Sequence, residues 1–286
     1  MITVKDVRVS PGDSAFLIDD GKTSILYDSG FAFTGHGVCN KIKEELGCRS
    51  LDYIFLTHSH YDHALGSAYV LKEYPNARVV AGEYAKRIFE KPTAKAVMRD
   101  LDRKFAASQG ISEYDDLIDE LRVDIPVGDG DIIEAGDMKF LAISLPGHTR
   151  CSFGYYLESE KLLLSCETVG IYVGEPVILP SFLIGYRTTL ESIDKVKALD
   201  IEKILIPHYG VIDGDLAKFY LENTKKSNVE TCREIATILK FGGTNEEAFE
   251  FFKNKFYKGK VIDAYPYDAF VLNTGIMIEL IKKELL

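Results

Sequence analysis

Residues 55–66 read FLTHSHYDHALG, and no other stretch limits the fold of this chain so sharply. Three of the chain's six histidines fall within six positions, with an aspartate among them. The preceding run LDYIFL is largely apolar and reads as a buried strand that ends on the cluster. A strand exit or tight loop can turn His58, His60 and Asp62, spaced two residues apart, toward one point. Neutral imidazole nitrogen and carboxylate oxygen suit zinc, iron or manganese. One ion needs three or four ligands, and a pair needs more than this segment holds, so distant partners are expected.

Histidine is scarce enough for those partners to be found. His148 stands in LPGHT and His208 in IPHYG, each behind an apolar, β-like run at a proline-containing strand exit. Alone, either would read as a hydrogen-bonded loop residue; with the 58–63 cluster they form a constellation. His36, in GFAFTGHGVC, lies outside that set and reads as a mobile, glycine-bracketed loop residue. Its functional alternative is a loop that overhangs the ions and touches substrate.

The flanking segments fit an α/β chain. DSAFLIDD and TSILYDSG are short β runs about a turn at Asp20-Gly21-Lys22. Residues 38–47 have helical spacing and stop at Gly47. SAYVLKEY is a helix halted before Pro75, and ARVVAG is a strand. Residues 83–122 carry few β signals and read as a helical insertion. Strands return in DIIEAGDMKFLAISLPGH and SFGYYLESEKLLLSCET, followed by the helical YRTTLESIDKVKALD and the strand KILIPHYG. From Asp213 onward the apolar spacing is helical. The expected division is therefore a core of residues 1–212, with the 83–122 insertion, and a helical appendage of residues 213–286. The appendage is expected to pack on the core or to form a homodimer interface.

Composition narrows the partners. Hydrophobic residues make up 46% and charged residues 27% of the 286, which provides a large core and argues against disorder. The net charge of −10 argues against a nucleic-acid partner, which needs a basic track. A small-molecule substrate remains. The five cysteines are odd in number and include no CxxC pair, so a disulfide framework is not expected. No apolar run approaches the roughly 20 residues that span a bilayer, and the N-terminus lacks a basic-then-apolar leader. The expectation is a cytoplasmic protein with no membrane partner.

On these residues the chain resembles the metallo-β-lactamase-fold hydrolase superfamily. The matching features are HxHxDH at His58, His60, Asp62 and His63, then His148 in PGHT, His208 in PHYG and Asp28 in YDSG, in order over roughly residues 10–212. The resemblance implies a four-layer αββα sandwich of two mixed sheets flanked by helices, with metals at one edge. It implies two divalent ions, zinc foremost and iron or manganese as alternatives. His58, His60 and His148 would hold the first ion, and Asp62, His63 and His208 the second. Asp28 would brace the ligand loop. The family's bridging carboxylate is an Asp after a Gly; here LLLSCETVG puts Cys166 and Glu167 at those places. Glu167 is the favoured bridge, with Cys166 as a thiolate ligand the alternative and a small buried residue its bland reading.

The implied activity is metal-dependent hydrolysis of a small ester, thioester or lactone, as in glyoxalase-II-like and lactonase-like members. Asp62 would orient the nucleophile and carry a proton to the leaving group. Tyr172, Tyr186 and Tyr209 are candidate donors to substrate. Three alternatives stand beside it: a phosphodiesterase of the same fold, an iron-dependent oxidoreductase like the persulfide dioxygenases, and a regulatory protein with a vestigial site. The last is suggested by the helical insertion and appendage, a layout shared with a quinolone-signal response protein of the superfamily.

Overall fold

The structure is a computed structural model and describes residues 2–174 and 177–286. The described strands form two mixed six-stranded sheets, one of the first six strands and one of the last six. The chain divides into two compact units, Met1–Ser144 with Phe153–Ser159, and Leu145–Ser152 with Glu160–Leu286.

The first unit opens with β1 (Thr3–Asp6), β2 (Phe16–Asp19) and β3 (Ser24–Tyr27), an antiparallel meander. The turn between β2 and β3 is where the sequence places it. Asp20 Oδ1 accepts the backbone N–H groups of Lys22 and Thr23, an Asx-type closure that fixes the register. Helix α1 (Gly35–Leu46) leads to β4 (Tyr53–Phe55), and α2 (Tyr61–Ala64) and α3 (Ser67–Glu73) lead to β5 (Arg78–Gly82). Helices α4 (Glu83–Phe89) and α5 (Pro92–Ser108) precede β6 (Ile125–Val127). Strands β3 to β6 run parallel, and β3 is buried along its whole length, as a strand covered on both faces must be. A second meander, β7 (Ile132–Ala135), β8 (Met138–Ser144) and β9 (Phe153–Leu157), is antiparallel. Along β7 exposed and buried residues alternate, the signature of a half-solvated strand.

The second unit pairs β10 (Leu162–Leu164) parallel to β11 (Lys203–Ile206), with α6 (Tyr186–Lys197) between them in the chain. β11 turns back into β12 (Gly210–Asp213). Helices α7 (Gly214–Lys240), α8 (Asn245–Phe256), α9 (Lys260–Ala264) and α10 (Tyr267–Leu285) follow. The buried residues of α7 (Ala217, Tyr220, Thr224, Asn228, Thr231, Cys232 and Ile235) recur every three or four positions, so one stripe faces inward. Phe252, Phe256, Phe270 and Met277 of the later helices share a core with Phe182 and Tyr186.

The sequence reading did not find β1, β12 or the single turn of α2: β1 (TVKD) is mostly polar, β12 (GVID) offers only two adjacent apolar residues, and α2 (YDHA) is too short to show a helical period. His36 departs from expectation. It sits in the first turn of α1, with Nε2 3.1 Å from Asp115 Oδ2, and not in a mobile loop. The preceding Gly35 serves close packing: a Cβ there would lie 2.5 Å from Tyr69 Cγ.

Candidate metal centre

The exit of β4 carries four of the expected ligands, and the backbone around them is tied down. Asp28 ends β3 at a positive φ of 53°, which aims its carboxylate at the residues leaving β4. The Asp28 side chain is fully buried. Its Oδ1 accepts Thr57 N–H at 2.8 Å, and its Oδ2 accepts the Ser14 hydroxyl at 2.8 Å and lies 2.7 Å from His63 Nδ1. The polar oxygens of this buried carboxylate are thus met by protein hydrogen-bond partners in place of water. The carboxylate also fixes the His63 tautomer: Nδ1–H donates to Asp28, and Nε2 is the coordinating atom.

The same logic reaches His58 through one hydroxyl. Thr57 Oγ1 lies 3.0 Å from Asp28 Oδ1 and 2.9 Å from His58 Nδ1. A hydroxyl has one hydrogen. It goes to the acceptor-only carboxylate, so Thr57 accepts from His58 Nδ1–H, and His58 also presents Nε2. The His58 ring centroid lies 4.5 Å from that of His60 and 4.2 Å from that of His63. His60 is extended, with ψ 153°, and caps α2, whose first turn then delivers Asp62 and His63. Asp62 Oδ2 is 3.5 Å from His63 Nε2. The loop is clamped again from behind, because the His63 carbonyl accepts both Ser29 N–H at 2.7 Å and Ser29 Oγ at 2.8 Å. Gly66 allows this closeness: a Cβ there would sit 1.8 Å from the Ser29 carbonyl oxygen.

The second unit holds His148, Glu167 and His208. His148 is buried, its Nδ1 lies 2.9 Å from Ser181 Oγ, and its N–H donates to Thr168 Oγ1 at 3.0 Å. This is a third imidazole engaged through Nδ1. His208 occupies the tight turn between β11 and β12 at φ 62°, a conformation that costs a non-glycine residue energy and is found at functional sites. Its Nε2 is 3.2 Å from Glu167 Oε1. Glu167 is not a strand residue. β10 ends at Leu164, and Glu167 opens a 3₁₀ turn, Glu167–Val169, with its side chain buried. Cys166 is extended, buried and adjacent.

The tyrosines separate. Tyr172 and Tyr209 meet edge to face with centroids 4.9 Å apart, and Tyr209 follows His208 directly. Tyr186 packs against Phe182 in the helical core, where burial pushes its hydroxyl pKa up. The sequence reading did not find Ser14, Thr57, Thr168 or Ser181. Each is an ordinary hydroxyl residue, marked only by a partner far away in the chain, except Thr57, which immediately precedes His58.

The donor set fits a divalent ion. In the first unit His58 and His63, and in the second His148, are each held by Nδ1 on a carboxylate or hydroxyl, the arrangement that orients metal-binding histidines, and Asp62 and Glu167 are carboxylates of the kind that offer hard oxygen.

Comparison with known proteins gives the same direction. The model of the metallo-beta-lactamase superfamily matches residues 12–208. "Glyoxylase B2" of Dictyostelium discoideum is 29% identical over 129 residues, covering 45% of this chain and 36% of that protein. "Beta-lactamase-like protein 2 homolog" of Caenorhabditis elegans is 26% identical over 233 residues, covering 80% of this chain and 66% of that protein. An acyl-coenzyme A thioesterase of Bos taurus is 26% identical over 201 residues, covering 68% and 69% of the two chains. The chain thus spans about a third of the first of these relatives and just under two thirds of the second. Among solved structures, a metallo-beta-lactamase family protein from Thermus thermophilus superposes with a TM-score of 0.64 at 19% identity, over 99% of this chain and 93% of that one. At that identity the likeness shows the fold, two mixed sheets flanked by helices with C-terminal helices.

Proposed function

The chain belongs to the metallo-β-lactamase superfamily, and within it we propose a thioester hydrolase that works with two divalent metal ions. By the family resemblance His58, His60 and His148 would hold one ion and Asp62, His63 and His208 the other, with Glu167 as the further carboxylate. Ions bound there supply Lewis acidity toward the substrate carbonyl and activate water as a nucleophile at neutral pH. Zinc is the first choice of ion, with iron and manganese compatible with the same donors.

The observation that carries this reading is the Asp28–His63 and Thr57–His58 network. Two buried side chains commit two histidines to presenting Nε2, an arrangement a merely structural histidine pair does not need. Asp62, only partly buried, orients the attacking water and returns its proton to the leaving group. A thiol leaving group, with a pKa of about 8.5, needs little such help, which suits a site whose candidate acid is a carboxylate. The hydroxyls of Tyr209 and Tyr172 donate to the substrate carbonyl or its carrier. Support for a thioester over a lactone or phosphodiester comes from relatives that include hydroxyacylglutathione hydrolases and an acyl-coenzyme A thioesterase.

Metal analysis of protein purified without added metal, beside a panel of acyl thioesters, lactones and phosphodiesters, tests the proposal. Two equivalents of divalent metal and a preference for thioesters are expected. Preferential turnover of phosphodiesters would move the protein to the phosphodiesterase reading. Oxygen-dependent turnover with a single iron would overturn hydrolysis altogether. Metal-replete protein inactive on the whole panel would leave the regulatory reading in its place.

A further inference from the structure

Helix α10 breaks the rule that its neighbour α6 keeps. The exposed positions of α6 include Arg187, Glu191, Asp194, Lys195 and Lys197, all charged. The inner face of α10, with Phe270, Met277, Ile278 and Ile281, is buried in the helical core, so its outer face should be polar. Instead Leu272 is 57% exposed and Val271 39%, and with Ile276 and Leu280 they line an open groove. Gly275 lies in that groove, and no atom approaches within 4 Å of where its side chain would begin. A helix that is apolar on both faces yet exposed on one is a helix that lacks a partner in the isolated chain.

The order of residues along this face says what the partner is. Two copies of α10 crossing antiparallel, with a two-fold axis between Gly275 and Ile276, set Gly275 against the second copy's Ile276 and Val271 against its Leu280. The same axis sets Asp268 against Lys283. Both are exposed, and neither has an ion-pair partner among the described residues. Leu272 then meets Glu279, whose carboxylate is engaged by Asn245 and Lys282, so its methylene stem is the part that faces across. Parallel pairing would instead put Asp268 on Asp268 and Lys283 on Lys283. A face that complements itself only when antiparallel is the mark of an isologous contact, which closes at two copies. We propose that the outer face of α10 docks a second copy of this chain in a two-fold antiparallel dimer. The inference is independent of the metal centre.

Sedimentation velocity on the full chain across the micromolar range tests it. The expected result is a concentration-dependent species of twice the 32.0 kDa chain mass. Leu272→Glu is expected to weaken association by at least about tenfold, with an unchanged melting temperature for the monomer. Asp268→Lys and Lys283→Asp are each expected to weaken it, and the two combined to restore it, because the swapped pair is again complementary. The proposal is overturned by a chain that stays at 32.0 kDa at every concentration, whether or not that monomer binds lipid vesicles. A dimer indifferent to Leu272→Glu, or a double swap that fails to restore association, overturns it equally.

Discussion

Asp28 shows how much one residue can decide. Its carboxylate takes hydrogen bonds from Ser14 and from the backbone and hydroxyl of Thr57, and it orients His63. Asp28→Asn keeps the shape but turns an acceptor into a partial donor facing Nδ1–H or the Ser14 hydroxyl. Metal affinity, read by competition with a chromophoric chelator, is expected to fall about 10–100-fold while the fold is retained. An unchanged affinity would remove Asp28 from the ligand scaffold. Asp102 of α5 is buried for a different purpose: it accepts the Ala32 N–H at 2.9 Å and the Tyr114 hydroxyl. Burial pushes its pKa up to about 6. Between about pH 4 and pH 6 the folded chain therefore holds a proton that the unfolded chain has lost. Stability from this group is greatest at the acid end and falls as pH rises toward 6, by at most about 3 kcal/mol. Asp102→Asn is expected to flatten that part of the denaturation profile, measured by urea unfolding at a series of pH values; the same slope in both proteins would refute it.

At the scale of elements, the ligand loop works because β3, the turn after it and α3 lie almost in contact. Gly66 marks the tightest point, facing the carbonyl of Ser29, whose N–H and hydroxyl clamp the loop. Gly66→Ala must displace either α3 or the 28–30 turn, since a Cβ 1.8 Å from a carbonyl oxygen cannot be accommodated by side-chain motion. Over-packing of this kind costs about 1–3 kcal/mol. The displaced turn carries Asp28, so a lowered melting temperature and weakened metal binding are expected together. A loss of stability with metal affinity intact would show that the turn and the ligands are mechanically separate. The β4 strand, α3, β5 and the helices α4 and α5 were all legible in the sequence, because each is a periodic run ended by a recognisable stop. The clamp between them was not. It rests on Ser14, Ser29 and Thr57 meeting partners many residues away, and nothing local in DSAF, DSG or LTH announces those pairings. His36 misled for the opposite reason. Its glycines looked like loop punctuation, whereas Gly35 is there because Tyr69 leaves no room for a side chain.

At the scale of the whole molecule, the candidate ligands were found by histidine scarcity and strand exits, without any knowledge of depth. What the sequence could not supply was how the C-terminal helices are used. Their apolar stripes were visible, but a stripe does not name what it covers. In the structure Phe182 and Tyr186, which precede Asp213, share one core with Phe252, Phe256, Phe270 and Met277, which follow it. Tyr220 of α7 donates its hydroxyl to the Gly170 carbonyl at 2.7 Å, and Ser227 of the same helix donates to the Ile178 carbonyl at 2.5 Å. Gly170 and Ile178 are therefore held by α7 through their carbonyls, and Leu179 and Phe182 by apolar packing. Removing residues 213–286 would expose Phe182 and leave the carbonyls of Gly170 and Ile178 without their donors. Because Glu167 lies three residues before Gly170, the loss should reach the ligands. A chain ending at residue 212 is expected to be insoluble, or to bind metal far more weakly than the full chain, as read by solubility and metal content. A soluble truncated chain with full metal content would mean that the helices are a detachable cover and that Glu167, Gly170 and Phe182 keep their places without them.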